Sequence, residues 1–182
     1  MPRFVANGRG QSYLSPLSGA ALFLAIAYAS SLAPLRAADE PIDRESLRLL
    51  DGVRVAIEDL PLGLPKELTK DALTRFIEDK LMAVRVPLQR PGEYSVGDPF
   101  LRVTIKTTEE AAGVVGYHIE VDFVQIVFMR RNPAITFNRA QTWAAHPRMG
   151  LVPRAQLADR IQKDLDTELT QFIVAYQSVN PQ

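Results

Sequence analysis

Hydrophobic and polar positions alternate most cleanly between Tyr117 and Met129. Tyr117, Ile119, Val121 and Phe123 interleave with His118, Glu120 and Asp122, the period of two that marks a strand with one buried and one wet face. Beyond Phe123 the wet side turns apolar at Val124, Ile126 and Phe128, while Val127 and Met129 continue the dry one. Either both faces are covered there or a bulge near Gln125 switches parity. Val53–Glu58 and Phe100–Thr107 show the same alternation, with Val53, Val55 and Ile57, and Leu101, Val103 and Ile105, facing inward. The spacing predicts a hairpin of 100–107 with 114–129, turning near Ala111 or Ala112. Like faces must meet, so odd pairs with odd and Arg102 falls opposite Glu120 or Asp122. After the turn at Arg130-Arg131-Asn132-Pro133, Ile135–Ala145 reads as a weaker fourth strand. Its apolar side, Ile135, Phe137 and Trp143, is broken by Arg139 and Gln141, as expected of an edge.

Two segments carry the helical period instead. Leu68, Ala72, Leu73, Phe76, Ile77, Leu81 and Val84 form one stripe, with Thr69 as N-cap and a stop before Pro87. Leu157, Ile161, Leu165, Leu169, Phe172, Ile173 and Tyr176 form the other, ended by Asn180-Pro181. Pro41–Leu50 is a short helix or lead-in, and His146–Gly150 reads as a loop. The expected fold is α+β: a four-stranded, mostly antiparallel sheet with two helices on one face, in the order β-α-β-β-β-α.

The front of the chain is different. Met1–Pro16 carries Arg3 and Arg9 with no acid, Leu17–Ala33 is apolar or small, and Ala37-Ala38 offers a cleavage point before Asp39. This is the layout of a secretory signal peptide over 1–38, preceding a single domain over 39–182. An uncleaved anchor is the alternative, although the run falls short of the roughly 18 to 20 apolar residues that span a bilayer. The expected location is exported, periplasmic or secreted.

Charge and composition narrow the chemistry. The 182 residues include 21 basic and 21 acidic side chains. Loss of Arg3, Arg9 and Arg36 with the leader leaves 18 against 21, a net charge of −3. The chain has no cysteine, which excludes disulfides, thiolate zinc sites and a cysteine nucleophile. Between Asp122 and Asp159 there is no acid, while Arg130, Arg131, Arg139, Arg148 and Arg154 give a local charge of +5. Phe128, Phe137 and Trp143 lie among them. Arginine beside aromatics suits carboxylate or phosphate partners, and an exported chain makes nucleic acid an unsuitable one. Phe128, Arg130, Arg131, Arg139, Trp143 and Arg148 are therefore the candidate contact residues. The competing reading scatters these arginines over strand ends, offset by Asp159, Asp164, Asp166 and Glu168.

Enzymatic alternatives are thinner. His118, Glu120 and Asp122 are metal-ligand types on one strand face, but same-face neighbours lie about 6.8 Å apart and three reach one ion awkwardly. His146 could act as a base, yet no nucleophile, phosphate loop or H-E-x-x-H accompanies it. No cofactor or metal is implied, and no catalytic residue is assigned. A small hydrolase or metal-dependent enzyme using His118 with Glu120, or His146, stays as the alternative.

D-G-V-R-V-A-I-E-D-L at 51–60, the hairpin, the R-N-P turn with Trp143, and F-I-V-A-Y-Q-S-V-N-P at 172–181 resemble a group of small exported bacterial proteins of unknown function. The layout is also similar to periplasmic accessory domains of envelope assembly and transport systems. Many of those are lipoproteins, and the lack of cysteine departs from that. The resemblance implies a non-catalytic accessory or binding protein of the cell envelope, meeting a protein or an anionic envelope component. Membrane proximity and a homodimer both remain compatible with it.

Overall fold

The longest strand sets the architecture, because no single neighbour is long enough to cover it. In the computed structural model, residues 39–181 are described, apart from 91, 94 and 109; the signal peptide expected over 1–38 lies outside them. The strands are β1 (Arg54–Ile57), β2 (Phe100–Thr107), β3 (Val114–Met129), β4 (Asn132–Ala144) and β5 (Arg148–Pro153). The helices are α1 (Pro41–Arg44), followed by the 3-10 turn Glu45–Leu47, then α2 (Lys70–Ala83) and α3 (Leu157–Val179).

The sheet order is β1-β2-β3-β4, with β5 also on β3. β4 pairs with the second half of β3, from Asp122 to Met129. β5 pairs antiparallel with the first half, from Val114 to Ile119. The expected four-stranded sheet is thus a five-stranded one. It is also mixed, since β1 runs parallel to β2, Val55 beside Leu101 and Ile57 beside Val103. Parallel neighbours need a crossover element, and α2 supplies it. The expected hairpin forms with odd paired to odd: Leu101 with Phe123, Val103 with Val121, Arg102 with Asp122. It closes through Ala112 and Gly113, both at positive φ, the backbone a two-residue turn between twisted strands requires.

Helices α2 and α3 bury the odd-numbered face. Leu73, Ile77 and Leu81 of α2 and Ile161, Leu165, Leu169 and Phe172 of α3 share one core with Ile119, Val121 and Phe123. Phe172 is its aromatic hub, 5.9 Å from Phe123 and edge-on to Trp143 at 5.3 Å. Offset and edge-on rings add roughly 0.5–1.5 kcal/mol per pair beyond their burial. The segment from Asp39 to Leu50 closes this end. Leu47 is fully buried, Trp143 Nε1 donates to Asp39 Oδ1 at 2.9 Å, and Asn180 Nδ2 donates to the Leu47 carbonyl at 2.8 Å.

The face read as wet is not wet at its centre. Asp122 is 1 % exposed, and Glu120, Thr104 and Val124 are buried with it. Arg102 satisfies Asp122 through two parallel bonds, Nε to Oδ1 at 2.9 Å and Nη2 to Oδ2 at 2.7 Å. That fork raises the Arg102 pKa, and burial opposes it.

Candidate functional site

Two regions depart from the plain layered fold. The first is the far half of the β3–β4 hairpin. The first eight residues of β4, from Asn132 to Arg139, are all exposed, as are Arg130 and Arg131 in the turn. The ladder is irregular here. Register shifts occur between Phe123 and Val124, Gln125 and Val127, and Phe128 and Met129, so bulges flank Gln125 on both sides. Gln125 itself keeps the core-side parity, its Nε2 donating to Thr142 Oγ1 at 3.0 Å. The strand begins at Asn132, earlier than the hydrophobic pattern implied. Pro133 is tolerated because it sits beside the shift between Phe128 and Met129, where the ladder is already broken. Asn132 Oδ1 accepts from the Ala134 backbone N–H at 3.3 Å.

This arm carries exposed apolar groups beside its charge. Phe128 is 66 % exposed, Phe137 49 % and Ile135 43 %. Val127 pairs with Phe137 and Phe128 with Thr136, so the two phenylalanines stand on opposite faces of the ribbon. Of the apolar trio expected on one side of the sheet, Val124 is buried, Ile126 half-buried and only Phe128 open. Arg139 is exposed and reaches a hollow of about 150 Å³ shared with Arg54, Phe100, Arg102 and Glu58. The other cations there are engaged: Arg102 with Asp122, and Arg54 with Asp98 at 3.6 Å and over the Phe100 ring at 4.9 Å.

The six candidate contact residues do not all gather. Phe128, Arg130, Arg131 and Arg139 lie on the arm. Trp143 belongs to the core, fully buried at the base of β4. Its side chain is held by Phe172 and Asp39, so it offers no contact surface. Arg148 opens β5 and is half-buried, away from the arm, paired to Ile119 on the other half of β3.

Arg148 marks the second region, a polar stripe inside the helix–sheet layer. Tyr117 Oη donates to Asp164 Oδ2 at 2.5 Å, and Arg160 Nε donates to Tyr117 Oη at 2.9 Å and to Asp164 Oδ2 at 3.1 Å. One turn on, Glu168 is 0 % exposed, with Oε1 accepting from the Arg148 backbone N–H at 2.9 Å. Glu168 Oε2 and Arg148 Nε are buried without a hydrogen-bond partner among the described residues. Desolvation pushes the Glu168 carboxyl up to about 8, against the Arg148 backbone bond and charge that favour its ionised form. Burial also raises the Tyr117 phenol. Gly150 makes room for that ring: a Cβ there would lie 2.7 Å from Tyr117 Oη.

From the sequence, Asp164 and Glu168 are expected only as acids offsetting the arginines, and their burial is not. A signal for their burial was present. Ile161, Asp164, Glu168 and Phe172 recur every three or four residues, placing both acids on the edge of the apolar stripe. Of the residues considered for enzyme chemistry, His118 and Glu120 are successive same-face positions of β3. His118 pairs with Lys106 and Glu120 with Thr104 on neighbouring positions, while His146 is exposed and meets Gln171 through its backbone N–H at 3.1 Å. Among the described residues, no group of three or more acidic or histidine side chains could hold a metal ion. No helix among them is long and apolar enough to cross a membrane. No protein-family model, curated protein or solved structure matches the chain.

Proposed function

We propose that this chain is an exported, non-catalytic binding protein of the bacterial cell envelope, which meets a protein or an anionic envelope component through the β3–β4 arm. The observation that carries the reading is the arm itself. Its turn and the first eight residues of β4 stand clear of the core with Arg130, Arg131 and Arg139 upon them, in a stretch of sequence without an acid. Arginine and aromatic side chains are the types enriched where proteins meet partners, and both stand exposed on this arm. The basic n-region, apolar run and small-residue cleavage point over 1–38 support export. The buried polar stripe serves the fold on this reading, fixing β5 to α3.

The test is crosslinking in intact cells with a photoreactive residue at position 137. A partner recovered from the native chain should fall about two- to thirtyfold with Arg130→Ala and Arg131→Ala together, since each exposed charge pair contributes about 0.2–1 kcal/mol and the tip loses two of them. Equal recovery from that double variant would remove the arm from the interface.

A further inference from the structure

The arm has a second property that charge alone does not capture. Among the described residues β4 is the outermost strand beside the second half of β3. Its outer side therefore presents alternate backbone N–H and C=O groups over the exposed run from Ala134 to Arg139. We propose that this edge receives an extended acidic segment of another polypeptide as an added strand, a choice of partner that rests on the arm being the contact surface.

Three kinds of occupant compete for such a surface, and the residues separate them. A second copy of this chain, paired edge to edge, would bring two acid-free stretches together and offer the arginines of neither a carboxylate. A lipid bilayer entered end-on would take Arg130 and Arg131 at the tip deeper than Phe128 and Phe137 behind them. It would also leave the outer edge of β4 without hydrogen-bond partners in an apolar medium, at several kcal/mol per group. An added strand meets every one of these features at once. Its backbone satisfies the edge, and its side chains fall alternately on the two faces. On β4 itself Phe137 borders the new strand on one face and Thr136 on the other, with Val127 and Phe128 one strand further in. Carboxylates at its end beside the turn face the exposed Arg130 and Arg131. Arg139 instead reaches the hollow over β1 and β2, so the two turn arginines choose the partner's charge.

The edge also limits what can add. Pro133 has no N–H to give, and Ala134 donates to Asn132 Oδ1, so the tip is closed to pairing. The bulge between Gln125 and Val127 bends the ribbon at the other end. A segment of roughly six residues fits between them, the usual length of a strand.

The probe is a synthetic peptide of about seven residues alternating glutamate and valine, titrated into the full chain and followed by fluorescence anisotropy. Binding should weaken at least tenfold when lysine replaces glutamate, and at least tenfold when alternate backbone amides of the peptide are methylated. Arg131→Glu, an exposed change outside the core, should weaken it about tenfold as an attraction becomes a repulsion. Methylation without effect would reduce the contact to charge alone and overturn strand addition. Absence of binding by the glutamate–valine peptide would overturn it as well. In either case, crosslinking that still depends on Arg130 and Arg131 would leave the arm as a contact surface, whereas loss of that dependence removes both.

Discussion

Glu168 shows how one side chain ties the pH response of the molecule to its layering. Its carboxyl is fully buried beside α3 and β5, and the Arg148 backbone N–H donates to one of its oxygens. The unfolded chain releases this proton near the ordinary value of 4.5, whereas the folded chain holds it to about 8. Between those values the folded state binds more protons than the unfolded one, so stability falls as pH rises. The contribution is complete below about 4.5, declines on the order of 1 kcal/mol per pH unit, and is flat above about 8. Glu168→Gln keeps the acceptor for the Arg148 N–H and removes the charge. Denaturant midpoints between about pH 5 and 9 should therefore slope downward for the native chain relative to the variant. Parallel curves would show that Glu168 ionises freely in the fold.

At the scale of elements, α2 ends in a way that local chemistry explains and one substitution can improve. Val86 N–H donates to the Leu81 carbonyl at 3.1 Å and Arg85 N–H to the Met82 carbonyl at 3.0 Å, the paired bonds of a Schellman cap. The residue in the left-handed position is Arg85, at φ 60, where a side chain costs about 1 kcal/mol or more relative to glycine. Arg85 is exposed, so Arg85→Gly should stabilise the chain by about 1 kcal/mol, seen as a raised denaturant midpoint with unchanged slope. A lowered midpoint would mean that the arginine side chain holds the loop to Gln89. The end of this helix was legible before any coordinates, from Pro87 and the fading stripe, as were Thr69 as N-cap, β2, β3 and the odd-to-odd register. β5 was not. Pro147, Gly150 and Pro153 punctuate it as a loop would be punctuated, and only the sixteen-residue length of β3, twice what β4 covers, makes a strand there necessary. The parallel pairing of β1 was hidden likewise, because alternation fixes which face a strand buries and not which neighbour it takes. Trp143 read as a contact residue for the same reason: its arginine neighbours are visible in sequence, while Phe172, which buries it, is far away along the chain.

Across the whole molecule, the parts that hold the fold and the parts proposed to meet a partner occupy opposite ends of the same two strands. Near Ile119 to Phe123, β3 has a neighbour on each side and α3 across its odd face. From Asn132 to Arg139 the ribbon has one neighbour and exposed residues throughout. Opening free energy follows buried contact, so amides of the first region should exchange only through global unfolding and those of the arm through local fraying. Substitutions on the arm are then nearly free of stability cost, within about 0.5 kcal/mol for Arg130→Ala or Arg131→Glu, which lets binding be altered without disturbing the core. Hydrogen exchange tests both halves of this separation together. The native chain should show a steep fall in protection from Val121 toward the β3–β4 turn, and the glutamate–valine peptide should restore protection between Ala134 and Arg139 while leaving Ile119 to Phe123 unchanged. Arm amides as slow as those of Ile119 would mean that the hairpin is packed against something along its length, and the contact surface would have to be sought elsewhere on the chain.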